Sequence, residues 1–255
     1  MDKRELPIAV FDSGVGGISV LKELIRLMPG ENFLYFGDSA NAPYGVRPTE
    51  QVRQLTLQAA KMLVSRGIKA LVLACNTATA AAVDLLREAY PELIIIGIEP
   101  ALKLAADLYP KGHIGVMATQ VTLREEKFAQ QLERFPEASV SLIPAPGLVE
   151  LIESGADTEK QKNLLAPLLQ PYTGQLDALV LGCTHYPFAQ KAIESILGPT
   201  VKLLHGGEGT ARQTRRRLEA ENLLFAGSGS VVIENSSKDP GRIQLCKRLL
   251  EEEYV

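Results

Sequence analysis

The sequence predicts an α/β fold of two pseudo-symmetric lobes, each with a mainly parallel sheet flanked by helices. Continuous apolar segments alternate with amphipathic helical patterns along the 255 residues, as in parallel sheets covered on both faces. The segment ALVLACNTAT at 70–79 also has a counterpart, ALVLGCTHYP at 178–187. This counterpart places Cys183 where the first copy has Cys75, 108 residues earlier (183 − 75).

A second pair of segments supports the duplication. IAVFDSG at 8–14 resembles IGVMATQ at 114–120, at the similar offset of 106 residues (114 − 8). We expect one lobe at 1–98 plus 208–255 and the other at 99–207, with the functional site in the cleft between them.

The first half alternates strands with helices. A helix at 18–28 is indicated by apolar residues that share one face, and Pro29 with Gly30 ends it. Thr49 is expected to cap the next helix, which runs to about Arg66. The elements predicted in this half are strands at 8–11, 32–38 and 93–99, the apolar run before Cys75, and helices at 18–28, 49–66 and 77–90.

The second half repeats this alternation. Asp157 begins a helix that Pro167 and Pro171 are expected to interrupt, and Gly155 ends the helix before it. The elements predicted here are strands at 114–118, 139–143, 201–205 and 230–235, the apolar run before Cys183, and helices at 122–135, 148–154, from 187, at 209–222 and at 240–253.

Composition bounds the class of protein. The chain is 46% hydrophobic and 22% charged, and no apolar run approaches the roughly 20 residues that a membrane span requires. The N-terminus lacks the features of a secretory signal, so we expect a cytoplasmic protein. A net charge of −3 gives no reason to expect nucleic acid or a membrane as a partner. Three cysteines without CxxC spacing are expected to be thiols.

Polar residues cluster where the predicted strands end. Ligands bind beyond the carboxyl ends of the strands of open parallel sheets, and this rule selects a set of candidate functional residues. The set comprises Asp12, Ser13, Asp38, Cys75, Asn76, Thr119, Cys183, Thr184 and His185. One buried cysteine is usually structural, but two at matching positions in duplicated halves favour thiols that flank one site.

Several chemistries use thiols, and the sequence distinguishes among them. A cysteine hydrolase would use Cys183 with His185 and leave Cys75 without a role. A metal site would need ligands at closer spacing, and a redox pair would need its two sulfurs about 2 Å apart when oxidised. Acid–base chemistry on both faces of one carbon uses both thiols, so we favour it. A nicotinamide enzyme is disfavoured because Ser19 occupies the third glycine position of the dinucleotide fingerprint.

Four motifs carry a resemblance to a known family. DSGVGG, GDSANAPYG, ACNTATA and GCTHYP, in this order, resemble the cofactor-independent glutamate racemases of the aspartate/glutamate racemase superfamily. The resemblance covers residues 6–205 and implies interconversion of L- and D-glutamate without pyridoxal phosphate, another cofactor or a metal. It also implies that the D-glutamate supplies peptidoglycan, and we expect a homodimer.

The resemblance assigns roles to individual residues. Cys75 would act on the D-enantiomer with the help of Asp12, and Cys183 on the L-enantiomer with the help of Glu153 and His185. The substrate-binding positions implied are Asp12, Ser13, Pro43, Tyr44, Gly45, Cys75, Asn76, Thr77, Thr119, Thr122, Cys183, Thr184 and His185.

The chain departs from the family pattern at several points. Ala145 precedes Pro146 where the family usually has a cysteine, so Glu150 remains a candidate beside the preferred Glu153. The tail after His205 matches poorly, and Cys246 is interpreted as structural. The alternatives are a racemase of aspartate or another small acid, a decarboxylase that uses one thiol, and a ligand-binding relative without turnover.

Overall fold

The computed structural model describes residues 2–99, 101–119, 122–123, 130 and 132–252. It divides into two compact units, one of Met1–Glu99 with Gly207–Glu251 and the other containing Pro100–Gly206. The predicted α/β class is confirmed, because each unit has a parallel sheet with helices. The lobe boundaries at 98–99 and 207–208 stay a prediction.

The described strands are all paired in parallel. In chain order they are β1 Ile8–Asp12, β2 Asn32–Gly37, β3 Ala70–Leu73, β4 Ile94–Gly97, β5 His113–Ala118, β6 Ser139–Pro144, β7 Ala178–Leu181, β8 Lys202–His205 and β9 Ser230–Asn235. The first sheet has the order β4-β3-β1-β2-β9, and the second has the order β6-β5-β7-β8.

The central strands of the first sheet are buried along their whole length. Every residue of β1 and β3 is buried, which explains why they appear in the sequence as continuous apolar runs rather than alternating ones. β3 pairs with β1 so that Leu73 lies opposite Phe11, and the two strands end side by side. The second sheet repeats the arrangement, because β7 is fully buried and pairs with β5.

The predicted helices that the structure describes occur in the predicted order, and one further helix, Leu102–Leu108, was not predicted. The α-helices are Ile18–Leu27, Thr49–Ser65, Asn76–Ala89, Leu102–Leu108, Leu148–Glu153, Thr158–Leu169, Gln190–Leu197, Gly207–Ala220 and Pro240–Glu251. Short 3₁₀ helices cover Lys3–Glu5, Tyr44–Val46, Gln170–Tyr172 and Tyr186–Ala189. Half of the predicted helix at 122–135, residues 124–129 and 131, lies outside the described residues. In the part of the chain that the structure describes, no helix combines the length and the apolar character needed to cross a membrane.

Two local predictions are wrong. Thr49 is the first helical residue rather than the cap, which is Pro48, and no side chain caps this helix. Pro167 does not interrupt Thr158–Leu169, because the flanking Leu165 and Leu169 are fully buried and their packing keeps the helix continuous. Asp157, the predicted start of this helix, is its N-cap, and its carboxylate accepts a hydrogen bond from the Lys160 N–H at 2.9 Å.

Candidate active site

The first thiol stands between a buried strand and a helix. β3 ends at Leu73, and Cys75 is the N-cap of the helix that starts at Asn76. The Sγ atom accepts a hydrogen bond from the Ala78 N–H at 3.4 Å, and the residue is only 6% exposed. Backbone N–H groups and the helix dipole at this position favour the thiolate over the thiol.

The end of β1 supplies two polar side chains beside the end of β3. The hydroxyl of Ser13 lies 3.4 Å from the Sγ of Cys75, and Asp12 is fully buried. The Asp12 carboxylate accepts a hydrogen bond from the Gly14 N–H at 2.8 Å. Gly17 makes room for this side chain, since a Cβ there would lie 2.6 Å from the Asp12 Cβ. The sheet therefore brings a carboxylate, a hydroxyl and a thiol to one edge.

Asn76 adds an acceptor at the start of the same helix. Its Oδ1 atom is buried and has no hydrogen-bond partner among the described residues. Because a buried carbonyl oxygen without a partner is costly, it favours a ligand with an N–H donor. Thr77, the next predicted binding residue, is also buried.

The loop after β2 contains the predicted Pro43, Tyr44 and Gly45. Tyr44 is 1% exposed and packs in the same buried cluster as Cys75. Its hydroxyl donates to the Oδ2 atom of Asp38 at 2.7 Å. Burial, reinforced by this bond and the Asp38 charge, raises the pKa of Tyr44 far above its ordinary value, so the hydroxyl stays protonated.

The second thiol belongs to a line of three polar side chains. The Sγ of Cys183 lies 3.8 Å from the Nδ1 of His185, and the Nε2 of His185 lies 2.9 Å from the Oε1 of Glu153. The imidazole is 4% exposed and the Glu153 side chain 10%, so little water screens the pair. The carboxylate that reaches His185 is thus Glu153, the one preferred over Glu150 from the sequence.

This line has a defined chemical capacity. If Nε2–H donates to the Glu153 carboxylate, Nδ1 carries the lone pair and can accept the Cys183 proton. The Glu153 charge then stabilises the imidazolium that forms, as the acid does in other base-activated nucleophiles. The arrangement can therefore generate a thiolate at Cys183 and later return its proton.

The remaining predicted residues of the second unit surround β5 and β7. The hydroxyls of Thr119 and Thr122 lie 3.0 Å apart, directly after β5, and Thr184 is buried beside Cys183. Among the described residues, no group of three or more His, Cys, Asp and Glu side chains is arranged to hold a metal ion.

Asp38 was selected as a candidate by its position at a strand end but was given no role, and it accepts the hydrogen bond of Tyr44. Tyr186 was left out of the candidate residues altogether. Tyr186 is fully buried and donates its hydroxyl to the carbonyl of Ala145 at 3.3 Å. Burial, together with the Cys183 and Glu150 charges, raises the pKa of Tyr186 well above its ordinary value. No local sequence signal marks this tyrosine as different from a core residue.

Comparisons with known proteins all find similarity to amino-acid racemases. A family model described as Asp/Glu/Hydantoin racemase matches residues 13–214. The chain is 47% identical to the glutamate racemase of Clostridium botulinum, across 98% of this chain and 99% of the relative. It is 48% identical to the glutamate racemase of Clostridium acetobutylicum, across 98% of this chain and 100% of the relative.

Solved structures resemble the fold over nearly the whole chain. Glutamate racemase from Thermus thermophilus, in complex with beta-chloro-D-alanine, matches with a TM-score of 0.81 and 38% identity, covering 98% of this chain and 94% of that one. Glutamate racemase from Francisella tularensis, in complex with D-glutamate, matches with a TM-score of 0.84 and 28% identity, covering 98% and 95%.

Proposed function

Because the chain belongs to the Asp/Glu/hydantoin racemase family, we propose that it interconverts L- and D-glutamate by proton transfer at the α-carbon. The family identified from the four sequence motifs is confirmed by these comparisons, and the chain is an amino-acid racemase. Glutamate is the substrate of the named relatives, which match almost their entire length, and this favours glutamate here over aspartate.

One observation carries the mechanism. Each unit places a thiol directly after a fully buried central strand, and each thiol has its own acid–base partners. Cys75 has Ser13 at 3.4 Å and Asp12 on the adjacent strand, while Cys183 has His185 and, behind it, Glu153. A racemase needs one base and one acid at one carbon, and two thiols of similar chemistry can exchange these roles.

The reaction is balanced between the two thiols. With L-glutamate, the Cys183 thiolate takes the α-proton, and the C–H electron pair moves into the α-carboxylate. The Cys75 thiol delivers its proton to the opposite face of the same carbon, and its electron pair stays on sulfur as a thiolate. D-glutamate leaves behind a Cys183 thiol and a Cys75 thiolate, the form that accepts D-glutamate for the reverse reaction.

The surrounding residues make this proton transfer feasible. A thiol of ordinary pKa ≈ 8.5 is a weak base for an α-proton, so the site must stabilise both the thiolate and the charge on the carboxylate. The helix N-terminus supports the thiolate at Cys75, and the His185–Glu153 pair accepts the proton of Cys183. The buried Asn76 Oδ1 is placed to accept a hydrogen bond from the substrate ammonium.

The decisive experiment is hydrogen exchange at the α-carbon. The purified protein is incubated with D-glutamate, L-glutamate or aspartate in D₂O without added cofactor, and loss of the α-proton signal is followed by NMR. We expect exchange with glutamate, and a Cys75→Ser, Cys183→Ser double variant should lose it by about 10²-fold or more. No exchange with either enantiomer would refute the function, and faster exchange with aspartate would support the alternative substrate.

The third cysteine provides a matched control. Cys246 is fully buried in Pro240–Glu251, between the buried Leu245 and Leu249. Cys246→Ala should lower stability by about 1 kcal/mol through a small cavity and leave α-proton exchange unchanged. Undiminished exchange in the double variant would instead refute the two-thiol mechanism while leaving the racemase function standing.

The cellular role follows from the resemblance to the family. We propose a cytoplasmic homodimer whose D-glutamate supplies peptidoglycan. The support is the match to glutamate racemases along the whole chain. Light scattering of the purified protein tests the dimer, since a monomer of 27.7 kDa would contradict it.

A further inference from the structure

The loop after β2 is organised around one buried carboxylate. Asp38 is 5% exposed and accepts the Tyr44 hydroxyl on Oδ2 at 2.7 Å. The side-chain amide of Asn41 donates to both carboxylate oxygens, at 3.1 Å each. Asp38 therefore holds two side chains of its own loop, one of which belongs to the predicted substrate-binding segment.

Packing alone does not explain why an acidic side chain occupies this buried position. Removing a carboxylate from water is costly, and the partners of Asp38 in the described part of the chain are neutral donors rather than a cation. An asparagine at this position would accept the Tyr44 hydroxyl without the cost of burying a charge. What the charge adds is strength, because hydrogen bonds to an ionised acceptor are roughly twice as strong as neutral ones.

The base of the loop is fixed separately by the tail of the chain. The Asn235 side-chain amide donates to the Ser39 hydroxyl at 2.8 Å, and the Ser236 hydroxyl accepts from the Ala40 N–H at 3.0 Å. These contacts hold the residues next to Asp38 without using its carboxylate. Loss of that carboxylate should consequently loosen the loop beyond residue 40 and leave its base in place.

We propose that Asp38 is a positioning residue, whose carboxylate holds Tyr44 and thereby fixes the backbone of residues 43–45 for the substrate. This inference rests on the proposed function and on the family resemblance, which implies that Pro43, Tyr44 and Gly45 bind the substrate. Asp38 transfers no proton in the reaction. It acts on binding through Tyr44, whose hydroxyl has its proton committed to the carboxylate.

The test compares binding with turnover in two variants. Asp38→Asn removes the charge at constant size, and Tyr44→Phe removes the same bond from its other end. Each should raise the KM for glutamate about tenfold, because a charge-assisted hydrogen bond is weakened, with kcat changed by less than about threefold. The double variant should raise KM no further than the more affected single variant, since both remove one interaction.

A structural role alone predicts a different result. Thr56→Val is the control, because its fully buried hydroxyl donates to the Val52 carbonyl at 2.8 Å in the same unit. It should lower the unfolding temperature and leave KM unchanged. Variants at 38 and 44 that behave like this control would overturn the positioning role. If Asp38→Asn does not fold, the milder Tyr44→Phe still measures the bond. Absence of racemisation by the unmodified protein would instead refute the proposed function itself.

Discussion

At the scale of single residues, the two thiols have different surroundings although their sequence positions match. Cys75 caps a 14-residue helix and lies beside a hydroxyl, while Cys183 faces an imidazole backed by a carboxylate. A helix terminus supplies a fixed partial charge, but an imidazole can take and return a whole proton. The duplicated chain thus supports two thiols by two different physical means.

The His185–Glu153 pair gives the first residue-scale prediction. In Glu153→Gln the amide still accepts the Nε2–H but no longer stabilises an imidazolium, so kcat/KM should fall by about 10- to 100-fold. The fall must be equal from L- and D-glutamate, because enantiomers have an equilibrium constant of one. Circular dichroism measures kcat/KM for the reaction that starts from each enantiomer. An equal loss in Glu150→Gln, one turn earlier on the same helix, would contradict the assignment.

Gly17 gives a second prediction at this scale. A Cβ at this position would lie 2.6 Å from the Asp12 Cβ and 3.0 Å from the Ala74 Cβ, so Gly17→Ala must displace Asp12 or the segment before Cys75. Overpacking of this kind costs about 1–3 kcal/mol in unfolding free energy, and racemisation should fall with it.

The matched control for this substitution is Gly209→Ala. A Cβ at Gly209 meets nothing within 4 Å, and the residue lies inside the helix Gly207–Ala220. Alanine there should stabilise the protein by up to about 1 kcal/mol and leave activity unchanged. Urea unfolding and racemase assays on Gly17→Ala and Gly209→Ala check the two predictions. Equal losses of stability and activity in both variants would show that crowding at Asp12 is not the cause of the loss.

At the scale of elements, the tail strand β9 completes the first sheet. It pairs in parallel with β2 from Ser230 to Asn235, and Asn235 and the following Ser236 contact the loop that carries Tyr44. Glu234 on this strand also makes a two-point ion pair with Arg66, at 2.6 and 2.8 Å, just beyond the helix Thr49–Ser65. The tail, expected from the motifs to match the family poorly, lies within the 98% of the chain that the Clostridium botulinum relative matches, and it has a defined structural place.

The Glu234–Arg66 pair leads to a prediction about acid stability. The hydrogen bond from Arg66 lowers the pKa of Glu234 below its ordinary value of 4.5. The ion pair therefore contributes its full stabilisation above the pKa that Glu234 has in the unfolded chain. This contribution is lost as the pH falls through the lower pKa that Glu234 has in the folded protein. Because both side chains are more than a third exposed, we expect less than about 1 kcal/mol. The free energy of unfolding should therefore differ less between pH 7 and pH 3 in Glu234→Gln than in the unmodified protein. Urea unfolding at the two pH values measures this difference.

At the scale of the whole molecule, a buried ion pair joins distant parts of the first unit. Lys69 and Glu31 are both fully buried and paired, and the Lys69 ammonium also donates to the carbonyls of Arg4 and Leu223. Glu31 in turn accepts the Phe225 N–H at 2.8 Å. Burial lowers the pKa of Lys69, while the Glu31 carboxylate opposes this effect. The pair therefore ties the tail segment to the start of the chain.

Breaking this ion pair should lower the free energy of unfolding more than substitution of a surface residue does. Lys69→Met leaves Glu31 charged, buried and without its cation, which costs about 3–5 kcal/mol. Adding Glu31→Gln should restore part of the loss, since the second substitution removes the uncompensated charge. Chemical unfolding of the two variants measures the difference. A double variant less stable than Lys69→Met would contradict this account.

Much of this protein follows from the sequence alone. The continuous apolar runs before Cys75 and Cys183 predict buried parallel strands, and β1, β3 and β7 are buried at every residue. Local patterns encode burial and helix period directly, so element order and class can be derived from them. The motifs around the thiols are also sufficient to identify the family.

Tertiary structure alone decided which groups contact each other. Sequence patterns left Glu150 beside Glu153, and only the packing of the helix Leu148–Glu153 brings Glu153 to His185. The bond from Tyr44 to Asp38 and the pairing of β9 with β2 were likewise decided by three-dimensional proximity. The physical reason is that burial is recorded by periodicity along the chain, whereas a hydrogen bond depends on distances between atoms that the chain sequence does not contain.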